Sequence, residues 1–164
     1  MRILLPFALT LLAACQATTY ESAWEKATLH ISDPGVKFMN QYANQPIETR
    51  PTVIYMHGCT GIGFEDSAWM EYLHDLGYSV IAPDSYERPG GRVGCGGTIP
   101  ERVTLRHEEL RYSIEMIGDL PWVDTNRLYM MGFSEGGHAL TTVTDVPDGV
   151  RGIVLIGVDC QASG

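Results

Sequence analysis

Between a short apolar run and a segment of small residues lies the pentapeptide Gly132-Phe133-Ser134-Glu135-Gly136. No other stretch of the chain restricts the fold as tightly. A strand that reaches a glycine, turns through a single serine and enters a helix at once brings two backbone segments close together. Glycine permits that approach, and the turn strains the serine while exposing its hydroxyl. The run Leu128 to Met131 reads as the strand, and residues from Gly136 to about Val143 read as the helix. Ser134 is therefore the candidate nucleophile, with Gly132 and Gly136 as the glycines of the turn. The dipole and free N–H groups of a helix start beside it favour a developing negative charge.

Strands and helices alternate on either side of this turn. A short strand is expected near Leu29, and Thr52 to Met56 is apolar and β-branched almost throughout, as in a strand buried on both faces. Asp66 and Ser67 are expected to cap a helix carrying Trp69, Met70, Tyr72, Leu73 and Leu76 at helical spacing, closed by Gly77. Tyr78 to Ala82 reads as the next strand and Ser85 to Thr98 as a glycine-rich loop. Pro100 then opens a long amphipathic helix in which Val103, His107, Leu110, Ile114 and Ile117 step by three and four. Asp124-Thr125-Asn126 is turn chemistry, and Gly152 to Val158 reads as a last buried strand. This alternation predicts an α/β fold with a doubly wound, mostly parallel sheet.

The first residues stand apart. Arg2, the apolar run Ile3 to Leu12 and the small residues Ala13-Ala14 form a leader too short to span a bilayer. Leu12-Ala13-Ala14-Cys15 resembles the lipobox of bacterial lipoproteins, which implies a signal peptide over residues 1–14 and lipidation of Cys15. Residues 15–27 then read as a tether. Gln16, rather than Asp, after that cysteine favours the outer membrane in such proteins, so the expected location is the periplasmic side of a bacterial membrane. The acyl chains would hold the domain at the membrane surface. In an oxidising compartment Cys59, Cys95 and Cys160 admit one intramolecular bridge. Cys59 with Cys95 is the favoured pair, because both lie in Gly-flanked loops after adjacent strand candidates. Eleven basic against twenty acidic residues, a net charge of −9, leave no basic footprint for nucleic acid. Neither metal-ligand spacing nor a phosphate-binding glycine loop is present, so no cofactor or metal is expected.

Taken together, His57-Gly58-Cys59-Thr60-Gly61, Ala82-Pro83-Asp84-Ser85-Tyr86 with Arg88, Cys95-Gly96-Gly97, Pro121-Trp122-Val123-Asp124 and Gly132-Phe133-Ser134-Glu135-Gly136-Gly137 resemble the dienelactone hydrolase family. The resemblance covers roughly residues 50 to 160. It implies an α/β-hydrolase fold and hydrolysis of a small-molecule ester or lactone by a nucleophile, a histidine base and an acidic orienter. The loop after Met56 is where this fold places its second oxyanion donor, which assigns the backbone N–H groups of Cys59 and Glu135 to the oxyanion hole. His57 is read as shaping that loop rather than as the base. Ser134 stands where the best-known members carry cysteine, which aligns the chain with a serine-bearing branch. Arg88 lies where lactone enzymes have an arginine that helps to bind a substrate carboxylate, but the favoured reading is a surface arginine.

The base is the missing part of this pattern. In this fold the acid and then the histidine follow the serine on later strands. Of the five histidines, His30, His57, His74, His107 and His138, only His138 follows Ser134, and it lies on the same helix. A base has to reach the hydroxyl within about 3 Å from a separate loop. Asp159 follows the last strand, where some lipases of this fold carry the acid. The expected fold is thus an α/β-hydrolase lacking its last strands, with residues 28–164 as its N-terminal portion. Three readings stand: a piece of an ester hydrolase whose remaining segment carries the acid and base, a noncatalytic lipoprotein that binds a ligand or partner in the cleft, and an enzyme served by an unusual base or another chain. The turn alone does not separate esterases from serine peptidases of the same fold.

Overall fold

The computed structural model describes residues 20–31, 37–42, 48–88, 95 and 99–158. The expected signal peptide, Cys15, Gly96, Gly97, Asp159 and Cys160 lie outside the described residues. Among the described residues six strands form one sheet: β1 (Thr28–His30), β2 (Lys37–Phe38), β3 (Arg50–Met56), β4 (Ser79–Ala82), β5 (Val123–Phe133) and β6 (Val150–Ile156). Their order is β2-β1-β4-β3-β5-β6, with β4, β3, β5 and β6 parallel and β1 and β2 added antiparallel at one edge. The helices are α1 (Glu21–Glu25), α2 (Met39–Tyr42), α3 (Phe64–Asp75), α4 (Ile99–Ile117) and α5 (Glu135–Thr141).

Side chains alternate across a strand, and β3 shows what that does here. Val53 and Tyr55 pack with Val80, Met131 and Met70 of α3 on one face. Ile54 and Met56 pack with Met130, Leu110, Ile117 and Leu140 on the other, under α4 and α5. Helices therefore cover both faces of the central strands, the doubly wound arrangement expected from the alternation of elements. The functional consequence is that the C-terminal ends of β3 and β5 lie side by side, with Met56 opposite Gly132.

Four expectations are corrected. The segment expected to be a tether up to residue 27 instead forms α1 from Glu21, because Trp24 and Ala27 join the core beneath α4. Asp66 is not the cap of α3 but stands in its first turn, where its Oδ2 accepts from Gly63 N–H at 3.0 Å. The turn expected at Asp124-Thr125-Asn126 lies within β5, where the register against β3 slips between the Arg50–Val123 and Thr52–Leu128 pairs. The strand expected to be buried, β6, is the outermost strand and leaves Ile153, Val154 and Leu155 exposed by 36%, 49% and 40%.

Candidate active site

Ser134 sits between β5 and α5 with φ 51° and ψ −113°, the one non-glycine residue with positive φ among the described residues. That conformation costs a β-carbon-bearing residue of order 1–3 kcal/mol and persists only where the surroundings enforce it. Here they do. Ser134 N–H donates to Ile156 O at 2.8 Å, and His138 N–H returns to Ser134 O at 2.9 Å. The flanking glycines carry the rest of the constraint. A Cβ built on Gly136 collides with the Met56 carbonyl, and one on Gly132 comes within 2.5 Å of the Gly136 carbonyl. The spacing Gly-x-Ser-x-Gly is thus dictated by the helix start pressing against the ends of two strands.

The loop leaving β3 meets the serine. A Cβ on Gly58 would lie 3.6 Å from Ser134 Cβ. Buried Asp66 shapes this loop, its Oδ1 accepting from Tyr55 Oη at 3.0 Å and from Gly58 N–H at 3.4 Å. Gly61 N–H donates to Gly58 O, and Tyr86 Oη donates to Cys59 O at 2.6 Å. Cys59 Sγ is bonded to Cys95 Sγ across a Cα separation of 5.0 Å. Neither Cys59 N–H nor Glu135 N–H donates to another group among the described residues. The loop carbonyls are engaged while these two donors are left free, one from each of the two segments that meet at Ser134.

Behind them lies a buried polar cluster. His57 is 1% exposed, and both its ring nitrogens are engaged, Nδ1 with Gly58 O at 2.7 Å and Nε2 with Ser85 N–H at 3.1 Å. Nε2 accepts from that backbone donor, so Nδ1 carries the proton. Burial, reinforced by the Arg106 guanidinium, holds the imidazole well below its ordinary range. His57 is neutral and structural. Ser85 Oγ donates to both oxygens of Glu109, at 2.7 and 2.6 Å. Arg106 Nη1 donates to Glu109 Oε1 at 2.8 Å, Nη2 donates to His57 O, and Nε lies 3.6 Å from Glu135 Oε1. Arg102 Nε lies 3.0 Å from Glu135 Oε2.

Arg88 is part of this cluster and is not a surface residue. It is 5% exposed, its Nε donating to Ser85 O at 3.1 Å and lying 3.6 Å from Glu109 Oε2. Arg106 and Glu109 escaped the sequence reading, which gave Asp66 only as a helix cap and Ser85 only as part of a motif. The signal was present: Arg102, Arg106, Glu109 and Ser113 step by four, three and four along α4, a helical stripe that reads as a solvent face and is turned inward. His107, placed on the apolar stripe by its spacing, hydrogen-bonds Ala139 O and Thr142 Oγ1, each at 2.7 Å. None of the five histidines hydrogen-bonds Ser134 Oγ among the described residues, and His138 stays on α5 with the serine. A cleft of about 460 Å³ opens elsewhere, between α4 and the segment after α5, lined by Leu110, Ile114, Val143 and Val146. Among the described residues no cluster of His, Cys, Asp and Glu is arranged to hold a metal, and no helix is long and apolar enough to cross a membrane.

No protein-family model and no curated protein matches the chain. Solved structures do. A dienelactone hydrolase-like promiscuous phosphotriesterase, P91, from metagenomic libraries superposes with a TM-score of 0.53 at 17% identity, covering 66% of this chain and 48% of its own. A second structure, m3DLH, gives 0.52 at 21% identity, covering 68% of this chain and 49% of its own. The fold is that of dienelactone hydrolase-like α/β hydrolases. The chain spans about half the length of these α/β hydrolases. Within that fold the C-terminal ends of parallel strands are where loops build sites, and there Gly58 of the loop after β3 comes against Ser134.

Proposed function

We propose that the chain carries the nucleophile and oxyanion portion of a serine-dependent hydrolase of carboxylic esters or lactones. The observation that carries this reading is the strained Ser134 with the loop after β3 against it at Gly58, while the backbone N–H groups of Cys59 in that loop and of Glu135 after the serine serve no other described acceptor. In the reaction Ser134 Oγ bonds to the acyl carbon, its proton passes to a base, and the carbonyl oxygen becomes an oxyanion held by the two donors. Collapse expels the alcohol and leaves an acyl-serine, which water hydrolyses by the reverse proton path. One such donor is worth on the order of 100-fold or more in rate. None of the five histidines is placed as base, so the base and the acid are assigned to the part of the fold that this chain does not span.

Export and attachment to a membrane through a lipidated Cys15 belong to the same proposal. The Cys59–Cys95 bridge supports it, since such bonds persist in oxidising compartments. Palmitate incorporation should disappear in Cys15→Ser.

The reading is tested by hydrolysis of p-nitrophenyl acetate and butyrate. Turnover above the buffer background that vanishes in Ser134→Ala supports it. With the base outside this chain the turnover expected is slow, and equal rates for the two proteins together with no acyl group on Ser134 by mass spectrometry after long incubation remove it.

A further inference from the structure

The buried stripe of α4 has no use in the reaction as written. A buried ion pair is weak evidence for stability, because desolvating both charges offsets most of their attraction and apolar replacements often do as well. Its geometry, however, is specific to the site. Arg106 is 1% exposed, and its three nitrogens face three different segments. Nη2 donates to the carbonyl of His57, two residues before the Cys59 donor. Nε lies 3.6 Å from the carboxylate of Glu135, whose own backbone carries the second donor. Nη1 donates to Glu109 on α4 at 2.8 Å, and Glu109 is anchored in turn by Ser85 Oγ, while Ser85 N–H grips the His57 ring.

We infer that Arg106 is a positioning residue that sets the distance between the two oxyanion donors, tying the loop after β3 to the turn after β5. The inference rests on the serine-hydrolase reading and deepens it. Only a guanidinium suits the place, because its planar fork presents donors in fixed directions, whereas an ammonium is a single point charge on a flexible stem. If Arg106 is lost, the serine keeps its strained turn, which the flanking glycines and the Ile156 carbonyl hold. What changes is how well the two N–H groups converge on an oxygen that becomes charged only in the transition state.

The test is the inactivation kinetics of the full chain with a fluorophosphonate probe, resolved into a maximal rate and a half-saturating concentration. Arg106→Lys keeps the charge and is expected to lower the maximal rate by about 10-fold or more, with half-saturation moved less than about twofold. A merely structural cross-link would leave the maximal rate of the folded protein unchanged. The double variant Arg106→Met with Glu135→Gln removes one charge of each sign, so it leaves less uncompensated charge if the lysine variant fails to fold. It should show the same slowing. Unchanged maximal rates in variants whose melting shows them folded would overturn the role of Arg106 alone. Absence of labelling in the parent chain, to the level of Ser134→Ala, would overturn the serine reading, and this inference with it.

Discussion

β3 and β6 are alike in sequence and opposite in surroundings. Both are parallel strands of seven residues rich in Val, Ile and other apolar side chains. Val53, Ile54, Tyr55 and Met56 are at most 3% exposed, whereas Ile153, Val154 and Leu155 range from 36% to 49%. An apolar run specifies a strand, and its neighbours decide whether it is buried. The candidate site lies where that burial is complete: the end of β3 leads into the loop of Gly58 and Cys59, and the end of β5 into Ser134. β6 takes part through one carbonyl, that of Ile156, which receives the Ser134 N–H.

Glycines sharpen the contrast most. Gly136→Ala places a methyl group on the Met56 carbonyl and is expected to cost more than about 4 kcal/mol, enough to prevent a cooperative unfolding transition. Gly152→Ala on β6 meets only the Tyr129 ring, at 3.6 Å, and should change stability by no more than about 0.5 kcal/mol. Similar effects for the two would break the comparison. Ile54→Ala on β3 should cost about 2–5 kcal/mol by urea denaturation. Val154→Ala on β6 should cost under about 1 kcal/mol, since much of its side chain stays in water when folded.

A pH effect follows from His57. Folded His57 stays neutral because burial depresses its proton affinity, while the unfolded chain protonates it below about pH 6.5. The unfolded state then binds the extra proton, so stability falls as pH drops from about 6.5 toward the depressed folded value. The slope is at most about 1.4 kcal/mol per pH unit for this one group. His30, also lowered mainly by burial, adds in the same direction. Denaturation at a series of pH values should show a shallower slope in His57→Asn than in the parent, and an identical slope would mean that His57 is not held neutral. The smallest effect belongs to the exposed edge, where Val154→Lys should reduce concentration-dependent light scattering with little change in melting.

The sheet and the turn at Ser134 were readable from the sequence because each rests on local signals. Runs such as Thr52 to Met56 mark strands, and the two glycines around Ser134 mark a close backbone approach. That the His57 to Gly61 loop follows a buried strand was readable for the same reason, from the apolar run before it. The polar cluster was not, because Arg106 and Glu109 acquire meaning only through Ser85 and His57, which lie more than twenty residues away in the chain. Arg88 was misplaced for the same cause: its partners, Ser85 and Glu109, are known only once α4 has docked. The apolar run of β6 reads as a buried strand because no local pattern tells an outermost strand among the described residues from a central one.

The central claim is that Ser134, held in its strained turn, is the nucleophile position of this chain. Tandem mass spectrometry of the protein after fluorophosphonate treatment tests it most directly. The account predicts a single adduct on the peptide containing Gly132 to Gly136, located on Ser134 and absent from Ser134→Ala. An adduct on another hydroxyl, such as Ser85 or Tyr86, or no adduct at saturating probe, would contradict it.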